Sequence, residues 1–180
     1  MSESALIDKF LPEYTFNECH EIVVNSPIEE VYEVTKNVDL SKSTLIVTLF
    51  KLRGLPTRRM TLQGVVEDVG FSRLAENYPI EHLVGFLANR NIVPISTAKE
   101  FLTHSLSAKV KVAWNFSLSE ISPGLTRVTT ETRVLCLSNM TRRIFKGYWM
   151  FFRPFSALIR RRMLKIVKRQ AELIGWNCYL

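Results

Sequence analysis

The spacing of apolar positions changes character along the chain. In "FNECHEIVV", residues 16–24, Phe16, His20, Ile22 and Val24 share one side at period two, which predicts a strand. "NSPIEEVYEVTKN" switches to helical spacing, with Ile28, Val31, Tyr32 and Thr35 as its stripe. Ser26 is placed for an N-cap, Pro27 for the first helical position, and Glu29 and Glu30 for the positive end of the dipole. "LSKSTLIVTLFKLRGLP" predicts a second helix, capped at Ser41 and stopped by Gly54 and Pro56. Its β-branched cluster Ile46-Val47-Thr48 leaves a strand open as the alternative. In "TLQGVVEDVG", Leu62, Val65, Val66 and Val69 make a short helix that Gly70 ends.

From Phe71 the period returns to two. "FSRLAENY", "IEHLVGFLA", "AKVKVAWNFSLSEIS" and "TRVTTETRVLCL" read as strands. In the third, Val110, Val112, Trp114, Phe116 and Leu118 face one way and Lys109, Lys111, Asn115 and Ser117 the other, the pattern of a half-buried antiparallel strand. "SPGLT" joins it to the fourth as a hairpin. Residues 89–104 form a connection with a helical turn around Thr97–Leu102. A long C-terminal helix follows, capped by Ser138 or Asn139, and Pro154 is expected to kink or divide it. Beyond the proline, Phe155, Ile159, Met163, Ile166, Val167, Leu173 and Ile174 fall within an arc of about 120°.

Composition adds one asymmetry. Hydrophobic residues are 47% and charged residues 23% of 180, which suits one globular domain, and nineteen aromatics argue against disorder. Of the 24 Lys and Arg, ten lie in residues 142–169, where there is no acid. The rest of the chain carries fourteen bases against seventeen acids, a mildly acidic body with a basic C-terminal element. Cys19, Cys136 and Cys178 are isolated and read as reduced thiols of a cytoplasmic protein. No basic-then-apolar leader and no uncharged apolar run of about 18 residues is present in the sequence. No metal spacing or phosphate-cradling glycine loop stands out, so neither cofactor nor metal is expected.

Strand, helices, antiparallel strands and a long amphipathic helix, with "HEIVVNSPIEEVYEVTKNV" at the front, resemble the START/Bet v 1-like superfamily, which includes polyketide cyclase-like and lipid-transfer proteins. "TETRV" followed by "RRIFKGYWMFFRPFSALIRRRMLKIVKRQAE" is similar to the last strand and gripping helix of a bacterial branch of it. The resemblance covers roughly residues 14–174 of a single domain. It implies an α+β helix-grip fold, a curved antiparallel sheet wrapped around the C-terminal helix, with a cavity between them for an apolar ligand. Gly85 is the only glycine within the central strands, and Pro154 interrupts the gripping helix; both depart from the pattern.

The candidate site residues follow from that expectation. Phe86, Trp114, Phe116, Tyr148 and Phe152 are core or pocket lining, and the tips of Trp114 and Tyr148 suit orienting a bound molecule. Arg160 points away from the other bases, beside Val167 and Ala171, so its stem packs while its head snorkels, pairs with a carboxylate or meets an acidic ligand group. Glu131 and Arg133 lie two apart on one strand face, and Val128, Val134 and Cys136 opposite them point the pair toward solvent. His20 on an apolar face reads first as a core histidine, and His82 and His104 have no partner by spacing. The expected activity is binding of a small hydrophobic or amphipathic, lipid- or polyketide-like molecule. A cyclase- or dehydratase-type enzyme, with Glu81, Glu131 or His20 handling protons, is one alternative. Contact of the basic segment with an anionic membrane or a protein partner is the other, and nucleic acid is disfavoured because the aromatics are assigned to the apolar stripe. The default for the ten bases is a solvated outer helix face.

Overall fold

A computed structural model describes residues 5–52, 57–93, 95–103 and 108–177. In chain order the elements are α1 (Leu6–Phe10), β1 (Phe16–Val24), α2 (Ile28–Asn37), a 3-10 turn at Leu40–Lys42, α3 (Thr44–Leu52), α4 (Leu62–Val69), β2 (Ser72–Asn77), β3 (Glu81–Ala88), β4 (Ile92–Val93), α5 (Ala98–Thr103), β5 (Val110–Ser122), β6 (Leu125–Cys136) and α6 (Asn139–Asn177). The strands form one antiparallel sheet in the order β1-β6-β5-β3-β2, with β4 on β3. Helix α6 packs across β1 and β6. This is the helix-grip architecture that the resemblance implied.

Period-two alternation gives the sheet two faces. Val110, Val112, Trp114, Phe116 and Leu118 of β5 meet α2, α3, α4 and α6 on the inner face. On the outer face, Leu74, Leu83, Leu87 and Ala113 pack with Ile7 and Leu11 from the N-terminal segment and with Phe101 of α5. Gly85 belongs to that outer layer. A Cβ there would stand 2.7 Å from Leu74 Cδ1, 2.8 Å from the Val112 carbonyl and 3.0 Å from Phe101, so glycine lets α5 approach.

Several expectations need correction. Ser26 does not cap α2: Pro27 precedes the helix, and the Ser26 hydroxyl lies 2.8 Å from Glu30 Oε2 and 3.2 Å from the Ala171 carbonyl, tying α2 to α6. Ser41 does not start α3. It belongs to the preceding turn, where Asp39 accepts its N–H at 2.9 Å, and Ser43 accepts from Ile46 N at 3.4 Å. Residues 44–52 are helical because Ile46, Leu49 and Phe50 bury one stripe, which overrides the β-branched preference. Gly54 and Pro56 lie outside the described residues. Thr61 caps α4 at Gly64 N, and Gly70 (φ +88°) ends it as expected.

Ser138 Oγ accepts the Thr141 N–H at 3.1 Å at the start of α6. Pro154 does not divide that helix, which is assigned continuously through it. Met163, Leu164, Val167 and Ala171 bury against the body, whereas Leu173 and Ile174 are exposed, so the expected stripe ends near Ala171. Cys19 and Cys136 are free thiols, and Cys178 and His104 lie outside the described residues.

Candidate functional site: a cavity between sheet and C-terminal helix

The space between the inner face and the first half of α6 is not filled. A cavity of about 490 Å³ is floored by Val110, Val112 and Trp114 of β5, Thr132 and Val134 of β6, and Phe86 of β3. Val65 and Val69 of α4 close one side. Helix α6 roofs it with Phe145, Tyr148, Trp149, Phe152, Ile159 and Arg160. The walls are apolar because alternation sends one whole side chain set of each strand inward. The volume lies within the range of about 300–1,000 Å³ common for small-molecule sites.

A few polar groups are built into these walls. Trp114 Nε1 donates to Thr130 Oγ1 at 2.7 Å, and that hydroxyl donates to the Asn115 carbonyl at 2.9 Å. The Arg160 guanidinium carbon lies 4.1 Å above the centre of the Trp114 ring, a cation–π contact, and its Nη1 is 3.4 Å from Thr130 Oγ1. Thr132, one step along the same inner row, is different: its Oγ1 is buried and has no hydrogen-bond partner among the described residues. Across the strands Thr132 pairs with Glu18, which is 5% exposed. Glu18 Oε1 lies 2.7 Å from His20 Nε2, and its Oε2 is buried without a partner among the described residues. Glu18 and His20 line a shallow hollow beside the cavity, against Arg153, Pro154, Ala157 and Arg161 of α6.

On the far side of Trp114 lies a smaller hollow of about 190 Å³, lined by Phe71, His82, Val84 and Phe116 with Lys36, Arg73 and Glu76 at its rim. His82 stacks on Phe116 and sits 3.1 Å from Thr35 Oγ1. The Thr35 hydroxyl spends its one proton on the Tyr32 carbonyl, so His82 is the donor and carries its proton on Nε2. Burial pushes the His82 pKa down from 6.5 to about 4, against the pull of Glu76. The ring is therefore neutral near pH 7. Glu76 itself is held below the usual carboxylate range by Lys36, 2.7 Å away.

The sequence-derived candidates separate into groups. Phe86, Trp114, Tyr148, Phe152 and Arg160 meet at the cavity. Phe116 lines the smaller hollow and His20 the shallow one. Glu81, Glu131 and Arg133 lie on the outer face, away from all three hollows. Glu81 accepts from Leu6 N at 2.7 Å, Ile7 N at 3.3 Å and Asn115 Nδ2 at 2.6 Å, so it anchors α1. Arg133 does not face solvent as expected. It bonds Asp8 at 2.7 Å, Glu131 at 2.8 Å and the Leu11 carbonyl at 3.1 Å, with the Tyr14 ring against its guanidinium. The N-terminal segment covers it, and nothing in local spacing foretold that cover. Glu18 and Thr132 were missed. The available signal for Glu18 was a carboxylate on the same period-two side as Phe16, His20 and Ile22.

Among the described residues no helix is long and apolar enough to cross a membrane. No family model and no curated protein matches the chain. Among solved structures, a point mutant of norcoclaurine synthase from Thalictrum flavum, in complex with a transition-state analogue, is similar at 12% identity and TM-score 0.45, covering 86% of this chain and 95% of that one. A conserved protein from Geobacillus kaustophilus is similar at 11% identity and TM-score 0.43, covering 87% and 95%. The Zhui aromatase/cyclase from Streptomyces sp. R1128 is similar at 12% identity and TM-score 0.36, covering 87% and 93%. Identities this low say nothing of ligand or reaction.

Proposed function

We propose that the protein binds one small hydrophobic or amphipathic molecule, lipid- or polyketide-like, in the cavity under α6. The observation that carries this reading is an apolar chamber of about 490 Å³ with an unsatisfied polar end. Burial of ligand surface supplies the affinity, at roughly 25 cal/mol per Å² of apolar area. Thr132 Oγ1, on the cavity wall, supplies orientation. A buried oxygen left without a partner costs about 1–3 kcal/mol, so a ligand hydroxyl or other donor reaching Thr132 recovers part of that. Arg160, held on Trp114, and Arg153 are the cations that line the cavity.

The test is mass spectrometry of the purified protein, native and then denatured, followed by titration with 2-naphthol and with a fatty acid. The expected result is one co-purifying small molecule per chain, or saturable binding of a probe. Ser156→Phe, which narrows the cavity from α6, is expected to abolish either while leaving the circular dichroism unchanged. A protein that carries nothing and binds neither probe at about 1 mM sinks the reading.

A further inference from the structure

Over its first half helix α6 carries a second, exposed apolar row beyond the one that faces the body. Phe145, Trp149 and Phe152 face the body, where Phe145 and Trp149 pack with Phe16. On the other side Met140, Ile144 and Phe151 stand 74%, 67% and 66% exposed, with Met150 at 75% beside them. At 100° per residue Met140, Ile144, Phe151 and Leu158 fall within about 40° of one another. The same outward row turns basic at Arg162, Lys165 and Arg169, all exposed. Arg143 is exposed on the flank of the apolar row, about 80° from its centre, and no acid occurs between Asn139 and Ala171.

We propose that this outward face docks on the surface of an anionic lipid bilayer, with Met150 and Phe151 inserted and Arg143, Arg162, Lys165 and Arg169 at the headgroups. The charge pattern selects that occupant. A second copy would bring an equally basic helix against this one, which repels. An interfacial helix needs an apolar row that sinks about 5–10 Å and Lys or Arg beside it, and both are present. The outer row does not overlap the inner one, so docking leaves the cavity walls in place. It also sets the cavity, roofed by the same half helix, next to the lipid. The proposal stands independently of what the cavity holds.

The test is flotation with phosphatidylcholine vesicles and with phosphatidylcholine–phosphatidylserine vesicles, at low and high salt. Wild-type protein is expected to float with the anionic vesicles only, and less at high salt. The M150S/F151S double variant is expected to lose at least about tenfold in affinity at low salt. Arg162→Gln, Lys165→Gln and Arg169→Gln together are expected to lose about a hundredfold, near fivefold per base. All these positions are exposed, so circular dichroism should match wild type. No flotation with anionic vesicles overturns the proposal. Flotation that M150S/F151S leaves unchanged also overturns it, because the bases alone would then be making the contact. A concentration-dependent dimer in analytical ultracentrifugation that M150S/F151S abolishes assigns the face to a second copy and overturns it equally.

Discussion

The two faces of the sheet treat buried polar groups in opposite ways. On the outer face every such group among the described residues has a partner. Glu81 takes the first amides of α1 and the Asn115 amide. Lys111 gives its ammonium protons to the Phe101 and Leu102 carbonyls, 2.9 and 3.2 Å away, although burial lowers its pKa. Arg133 is divided among Asp8, Glu131 and Leu11. On the inner face Thr130 is saturated, but Thr132 Oγ1 and Glu18 Oε2 are buried with no partner among the described residues. Polar groups that only hold a fold are satisfied within it, since an unpaired buried donor or acceptor costs stability and returns nothing. Among the described residues the unpaired buried groups lie on the inner face only, in keeping with the ligand site proposed there.

The contrast predicts unequal effects of mutation. The largest is expected from Glu81→Ala, which strands the Leu6 and Ile7 amides and releases α1 from the sheet, at about 3 kcal/mol by urea denaturation. A loss below about 0.5 kcal/mol would mean that α1 contributes nothing to closing the outer face.

His82, on the inner face, is expected to act through pH. Its folded pKa of about 4 lies below the ordinary 6.5, so the unfolded chain takes up the proton first as pH falls. Its contribution is complete above about pH 6.5 and declines toward pH 4, by up to about 3 kcal/mol. Glu76, Lys36 and Arg73 act on it over the same range. His82→Gln should flatten the stability profile between those limits. A profile unchanged by that substitution would show that His82 is not held neutral by burial.

The smallest effect on stability, within about 0.5 kcal/mol, is expected from Thr132→Val, which removes an oxygen that has no partner. The same substitution should weaken 2-naphthol binding severalfold if Thr132 orients a ligand hydroxyl. A large stability loss with unchanged binding would make Thr132 a structural residue like Thr130.

Much of the fold was legible in the chain. Period two marks β1, β3, β5 and β6 because side chains on a strand alternate strictly between a packed and an open side. Gly70 ended α4 at the expected place because a positive φ costs glycine nothing. The failures have specific causes. Ser26 and Ser41 have the right chemistry for caps, but a hydroxyl is claimed by whichever partner the fold brings nearest: Ala171, 145 residues away, and Glu30 for one, and for the other a turn whose backbone Asp39 already holds. The aromatics of the C-terminal segment are expected on the apolar stripe, yet Phe151 stands in solvent. A helix apolar on two sides does not say which side the body will take.

The sequence by itself determined most of the secondary elements, though not α1 or β4, together with the amphipathic character of the long last helix and the gathering of basic charge on it. Each depends on near neighbours in the chain, through period, capping and composition. Only the tertiary structure decided which face of each strand looks at α6, that α1 seals the opposite face over Glu81 and Arg133, and that Thr132 and Glu18 meet beside an unfilled space. Those facts depend on which distant residues come into contact, and side chains of the same size and polarity serve a filled core or a cavity wall equally well.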